Sequence, residues 1–332
     1  MEREFAGRPP SRRARSAAAI TRGTLRPLAN RLPPGVVGIA VSRRIVAGSL
    51  ALFGPIRPAT TVEPMARLGP DGGQLRGEWV RAAGVAHGGA AILYLHGSGY
   101  ALCSPCTHRG LTSRLSTLTG LPVFAVDYRL APRHRFPAAA QDVRRAFDWL
   151  VTDHAPAGRI VVAGDSAGGH LALDLCLDLL RSGRPRPAAQ VLFSPVVDLT
   201  FGLAGERAAL RPDPMIGAAA ARHLVAQYTR GTDPAHARLR LAVAPDEVLP
   251  PTLIQAGGRE MLAADAHHIH RMLAASGTPS RLEVWPGQMH VFQALPRAVP
   301  EAGPALRRAG EFITDALGAD TVARPARRRR SA

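Results

Sequence analysis

Three side chains of this sequence have the types needed to transfer an acyl group: a hydroxyl at Ser166, a carboxylate at Glu260 and an imidazole at His290. Ser166 lies in Gly164-Asp165-Ser166-Ala167-Gly168, a G-x-S-x-G spacing. A serine hydroxyl is a poor nucleophile unless a base stands within hydrogen-bond reach. The base in turn needs a third group to hold its tautomer and stabilise its cation. Glycines on both sides of the serine allow a sharp turn in which neighbouring backbone comes too close for side chains. G-x-S-x-G alone also occurs in ordinary Gly-rich turns, so the rest of the chain must supply the partners.

The flanking sequence predicts how Ser166 is presented. Ile160 to Ala163 is a short, apolar, β-branched run and predicts a buried strand. From Ala167 onward Leu171, Leu175 and Leu179 recur at helical spacing, with Asp174, Asp178 and Arg181 as a polar stripe. A strand–turn–helix results, with the free N–H groups of the helix start aimed at any negative charge that develops. Further strands are predicted at 77–80, 90–95, 122–128, 190–194, 251–256 and 280–284, and helices at 107–119, 138–152, 261–276 and 304–317. This alternation implies an α/β fold with a mostly parallel, doubly wound sheet, whose ligands bind at the carboxyl ends of the strands.

Those strand ends carry the remaining chemistry. His96-Gly97-Ser98-Gly99-Tyr100 follows the 90–95 strand. The N–H groups of Gly97, Ser98 and Ala167 are expected to form an oxyanion hole, each donor worth about 3 kcal/mol in the transition state. His96, Gly99 and Tyr100 are expected to contact substrate. Glu260 follows the next-to-last strand in Gly257-Gly258-Arg259-Glu260, and His290 follows the last in Trp285-Pro286-Gly287-Gln288-Met289-His290. The chain order is therefore serine, acid, histidine.

With these motifs in place the chain resembles the hormone-sensitive-lipase-like family of α/β-hydrolases, in particular its bacterial carboxylesterases. The resemblance runs from about Gly77 to Leu317. It rests on His96-Gly97-Ser98-Gly99-Tyr100, Asp127-Tyr128-Arg129-Leu130-Ala131-Pro132 with Phe136-Pro137-Ala138-Ala139, Gly164-Asp165-Ser166-Ala167-Gly168-Gly169, and His290-Val291-Phe292. It implies a helical cap formed by the N-terminus and an insertion, an acyl-binding cleft, a small-molecule ester substrate, short- to medium-chain acyl groups, and catalysis with no metal or cofactor. Ser98 replaces the second glycine of the family's oxyanion motif. The family's acid is commonly aspartate, where this chain has Glu260, with Asp265 as runner-up. Asp265 is expected to cap its helix or face solvent. An amide or N-acetyl hydrolase would use the same triad, whereas a non-catalytic receptor on this fold would lack a triad member, and all three are present here.

Composition narrows the field. With 332 residues, 46% hydrophobic, the chain can bury one large core. The expected division is an N-terminal cap or arm at 1–60, outside the sheet, then a catalytic domain at 61–320 with a cap insertion near 201–244, and a basic tail at 321–332. The net charge of +17 does not indicate a specific nucleic-acid partner: there is no lysine, and the arginines are spread along the chain. They concentrate only in the first twenty residues and in Arg324 to Arg330, two segments expected to lack fixed structure and to offer at most weak contact to a membrane surface. No apolar run is long enough to cross a bilayer, the N-terminus is a poor signal peptide, and three cysteines suit a reducing compartment, so a cytoplasmic monomer or homodimer is expected. His267, His268 and His270 are expected to be exposed, His108 to cap a helix, Asp165 to bond inward beneath the elbow, and Trp149, Trp285 and Cys176 to be core. Cys103 and Cys106 are expected to fill tight positions, not to form a redox pair.

Overall fold

A computed structural model describes residues 2–4, 9–27, 35–97 and 99–322. Ser98 and the Arg324–Arg330 tail lie outside the described residues. Among the described residues nine strands form one sheet: β1 (Glu2–Glu4), β2 (Thr61–Leu68), β3 (Gln74–Arg81), β4 (Ala91–Leu95), β5 (Val123–Val126), β6 (Ile160–Asp165), β7 (Ala189–Phe193), β8 (Thr252–Gly257) and β9 (Ser280–Trp285). Their order is β1-β9-β8-β7-β6-β4-β5-β3-β2. Pairing is parallel from β1 through β5, and antiparallel where β3 meets β5 and β2 meets β3.

The described helices of four residues or more are α1 (Arg12–Gly23), α2 (Val36–Phe53), α3 (Pro105–Thr119), α4 (Ala138–Asp153), α5 (Ala167–Arg181), α6 (Gly202–Leu210), α7 (Ala218–Thr229), α8 (Ala263–Ala275) and α9 (Ala302–Val322). The central strands are apolar throughout because helices cover both faces. In β4, Ile92 and Tyr94 point to the layer of Leu111 and Leu115 from α3 and Leu306 and Ile313 from α9. Leu93 and Leu95 point the other way, to the cluster holding Phe147 of α4, Leu171 of α5 and Ile269 of α8. The period-2 alternation of a strand thus divides one apolar run between two cores.

Two expectations for the N-terminus need correction. Its basic segment is helical: in α1, Ser11 Oγ accepts the Ala14 N–H (3.1 Å), and the Ser11 N–H (2.7 Å) and hydroxyl (3.1 Å) are held by Glu301. Ala14 and Ala18 recur at i, i+4 and are buried, Ala14 beside Trp285, Met289 and Phe292, leaving Arg12 and Arg15 outside. The arginines hid an alanine stripe narrow enough to pack closely. The start of the chain also joins the sheet, because β1 pairs in parallel with β9. Between β7 and β8 the segment at 201–244 carries two helices, α6 and α7.

Candidate active site

Ser166 sits between β6 and α5 with φ 53° and ψ −117°. A non-glycine residue held there costs about 1–3 kcal/mol, so the surroundings must fix it. The Ser166 N–H donates to Phe193 O on the neighbouring strand (2.9 Å). A Cβ on Gly164 would lie 2.4 Å from Gly168 O, and one on Gly168 would lie 1.9 Å from Leu95 O. Only glycine at both positions lets the helix start pass this close to β4 and β6.

The other two strand ends meet the serine. His290 Nε2 lies 3.0 Å from Ser166 Oγ, and His290 Nδ1 lies 2.6 Å from Glu260 Oε2. Burial of the imidazole disfavours its cation, but the hydrogen bond and negative charge of Glu260 outweigh that and raise its pKa above 6.5. Glu260 is fully buried, and its other oxygen accepts the Gly257 N–H (2.8 Å). Ser194 Oγ accepts the Val291 N–H (3.1 Å), which ties the histidine loop to the end of β7.

The insertion contributes supports that sequence alone did not single out. Arg207 of α6 donates to the carbonyls of Glu260 and Gly258, both at 2.9 Å. Buried Asp213 takes the Met261 N–H on one oxygen (2.8 Å) and those of Met215 (2.7 Å) and Ile216 (3.0 Å) on the other. The segment that follows β7 therefore clamps the loop carrying the acid. The signal available in sequence is the Pro212-Asp213-Pro214 turn, where aspartate favours local backbone bonding.

The oxyanion loop differs from expectation. The Gly97 N–H donates to Asp165 Oδ1 (3.0 Å), so it is committed beneath the elbow and is not a donor to substrate. Ser98 lies outside the described residues. Ala167 is the first residue of α5, where an N–H has no helical acceptor. His96 is 1% exposed, stacked on Tyr128 at 4.2 Å, with Nδ1 against Gly97 O (3.1 Å). Burial and the neighbouring His108 push its pKa down to about 3. Tyr100 is 0% exposed and stacked on Tyr228 at 4.1 Å. Both rings are thus buried and packed within the fold, whereas Gly99 is half-buried.

Other candidates fall away from the triad. Asp265 is buried rather than solvent-facing; its Oδ1 accepts the Val197 N–H (3.0 Å). Asp198 pairs with Arg240 (3.7 Å). His267, His268 and His270 are half-buried, not exposed, and His270 Nδ1 meets Ser280 Oγ (2.8 Å). Among the described residues no group of three His, Cys, Asp or Glu is placed to hold a metal. Cys103 and Cys176 are buried and Cys106 is exposed, and none of the three is in a disulfide. Arg129 braces its loop through Asp142 (2.8 Å), and Trp149 and Trp285 are core.

The family model for the alpha/beta hydrolase fold matches residues 92–294, from the strand before the oxyanion loop to just beyond His290. The chain belongs to the alpha/beta hydrolases. The hydrolase is 38% identical over 246 residues to "Acetyl-hydrolase" from Streptomyces hygroscopicus, covering 74% of this chain and 82% of that protein. It is 37% identical to "Esterase LipU" from Mycobacterium tuberculosis (strain ATCC 25618 / H37Rv), covering 78% and 89%. A solved esterase of the bacterial hormone-sensitive lipase family superposes with a TM-score of 0.80 at 31% identity, covering 94% of this chain and all of the other. The hydrolase is thus a hormone-sensitive-lipase-like carboxylesterase that acts on small-molecule carboxylic esters. No described helix is long and apolar enough to cross a membrane.

Proposed function

We propose that the enzyme hydrolyses short- to medium-chain carboxylic esters through an acyl-enzyme on Ser166, with His290 as base and Glu260 as its orienting acid. One observation carries this reading: hydroxyl, imidazole and carboxylate form a continuous hydrogen-bonded line of 3.0 and 2.6 Å. Ser166 Oγ attacks the ester carbonyl as its proton passes to His290 Nε2. The Ala167 N–H and the loop beyond Gly97 stabilise the oxyanion. His290 returns the proton to the leaving alcohol, then activates the water that releases the acid. The acyl length is supported by similarity to "Acetyl-hydrolase" and, over 115 residues at 44% identity, to "Ethyl acetate hydrolase" from Pseudomonas putida.

Turnover of p-nitrophenyl esters from acetate to decanoate tests the proposal. Acetate to octanoate are expected to be the better substrates, and Ser166→Ala to lose at least about 10³-fold in kcat. Equal rates in the two proteins would remove Ser166 from the mechanism. A matched anilide is expected to turn over more slowly, and the reverse order would make the enzyme an amidase on the same residues.

A further inference from the structure

Beneath the elbow, Asp165 Oδ1 receives three donors from three segments. They are Tyr94 Oη of β4 (2.7 Å), the Gly97 N–H of the oxyanion loop (3.0 Å) and His108 Nε2 of α3 (3.3 Å). Asp165 is 3% exposed and precedes the nucleophile directly. We propose that the buried Asp165–His108 pair is a clamp that fixes the oxyanion loop against the nucleophile elbow, which makes His108 a positioning residue for ester hydrolysis. The proposal rests on Ser166 being the nucleophile and on the loop after Gly97 supplying an oxyanion donor.

The protons can be placed. In the capping box of α3 the Thr107 oxygen accepts the Ser104 N–H (3.2 Å), and the Thr107 hydroxyl hydrogen goes to Ser104 O (2.7 Å). A hydroxyl has one hydrogen, so Thr107 Oγ1 can only accept from His108 Nδ1, 2.9 Å away. The opposite ring nitrogen faces a carboxylate. Both ring nitrogens of His108 therefore face acceptors, Thr107 Oγ1 on one side and Asp165 on the other. Burial works against charge on Asp165, yet the His108 charge and hydrogen bond and the Tyr94 hydroxyl hold its pKa below the usual value.

The pair has a mechanical consequence. A Cβ on Gly97 would lie 2.1 Å from Asp165 Oδ2, so the loop rests directly on this carboxylate. Removal of His108 takes one of three donors from a buried carboxylate and leaves it to Tyr94 and the Gly97 N–H. Asp165 then takes up a proton or turns toward water, and its hold on the Gly97 N–H weakens. Gly97 anchors the start of the oxyanion loop on Asp165, so a shift at Gly97 is carried into the rest of the loop. Displaced oxyanion donors weaken binding of the transition state more than that of the ester, so the loss falls on kcat and not on KM.

The test compares His108→Leu with His108→Gln, whose side-chain amide can place a neutral donor where Nε2 stands. Rates on p-nitrophenyl butyrate are divided by active sites titrated with a fluorophosphonate, which discounts misfolded protein. His108→Leu is expected to lower kcat about 10- to 100-fold per site with KM within about twofold. Affinity for an alkyl boronic acid, which mimics the tetrahedral adduct, is expected to fall in proportion, and His108→Gln to recover most of both. Wild-type kcat in His108→Leu, a loss carried by KM, or equal losses in Leu and Gln would overturn the clamp. If His108→Leu does not fold, Tyr94→Phe decides: a several-fold drop in kcat at constant KM supports the clamp, and an unchanged kcat overturns it. Ser166→Ala runs alongside; residual turnover there would remove the nucleophile assignment itself, whereas an inactive Ser166→Ala beside an unaffected His108→Leu removes only the clamp.

Discussion

Two buried carboxylate–imidazole pairs meet at the nucleophile elbow. Glu260 and His290 (2.6 Å) reach it from the ends of β8 and β9, and Asp165 and His108 (3.3 Å) lie beneath it, between β6 and α3. The residue types match, and what differs is the second nitrogen. That of His290 faces the Ser166 hydroxyl, a group that can give up its proton. That of His108 faces Thr107, whose hydrogen is already used on a backbone carbonyl. One pair therefore has somewhere to move a proton and the other has nowhere. A carboxylate–imidazole contact becomes a base or a brace according to the group at its far end.

The largest effect is expected from breaking the first pair. Glu260→Gln keeps the shape and removes the charge that holds the His290 tautomer, so kcat should fall by about 10³- to 10⁴-fold. The same variant carries a pH signature. His290 is protonated below a pKa raised above 6.5, so the acid limb of kcat/KM in the wild type should lie above that value. Without the hydrogen bond and charge of Glu260, burial acts on the ring against only the lesser pull of Asp213 and Asp165. The residual activity of Glu260→Gln should then extend to lower pH. A limb that stays in place would show that another carboxylate orients His290.

The second pair is probed from the loop side by Gly97→Ala. The added methyl would meet Asp165 Oδ2 at 2.1 Å and Asp165 O at 2.7 Å, and neither atom can withdraw without disturbing the elbow. Overpacking of this kind costs about 1–3 kcal/mol and should appear as a lower Tm together with a lower kcat. An unchanged Tm would mean that the loop has room to lift off Asp165.

The two pairs also differ in how far sequence could reveal them. Ser166, Glu260 and His290 each follow a strongly apolar strand, so strand prediction alone brings them to one edge of the sheet. The Asp165–His108 contact joins residues 57 positions apart and depends on how α3 is rotated, for which the chain has no short-range signal. The direction of the Gly97 N–H is similarly silent, because a glycine-rich loop looks the same whichever way its amides turn. β2 was missed for a different reason: as a largely exposed edge strand it has no buried face to impose an apolar pattern. α1 was missed because arginines masked the two alanines that pack.

The smallest effect on rate is expected at Asp265, which sequence left as the alternative acid. It is 1% exposed in the first turn of α8, with no bond to His290, and its Oδ1 holds the Val197 N–H. Burial pushes its pKa up to about 7, while the Val197 N–H pulls it down. An acid whose folded pKa lies above its unfolded value retains protons that the unfolded chain has lost. Stability then declines as pH rises from the unfolded value near 3.8 through 7. Asp265→Asn keeps the acceptor for Val197 and removes the titration. It should hold kcat within about threefold, since it is outside the line from Ser166 to Glu260, and its Tm should gain on the wild type between pH 5 and pH 8. A fall in kcat approaching that of Glu260→Gln would place Asp265 in the catalytic line after all, and would leave the 2.6 Å contact of Glu260 as a brace like that of Asp165.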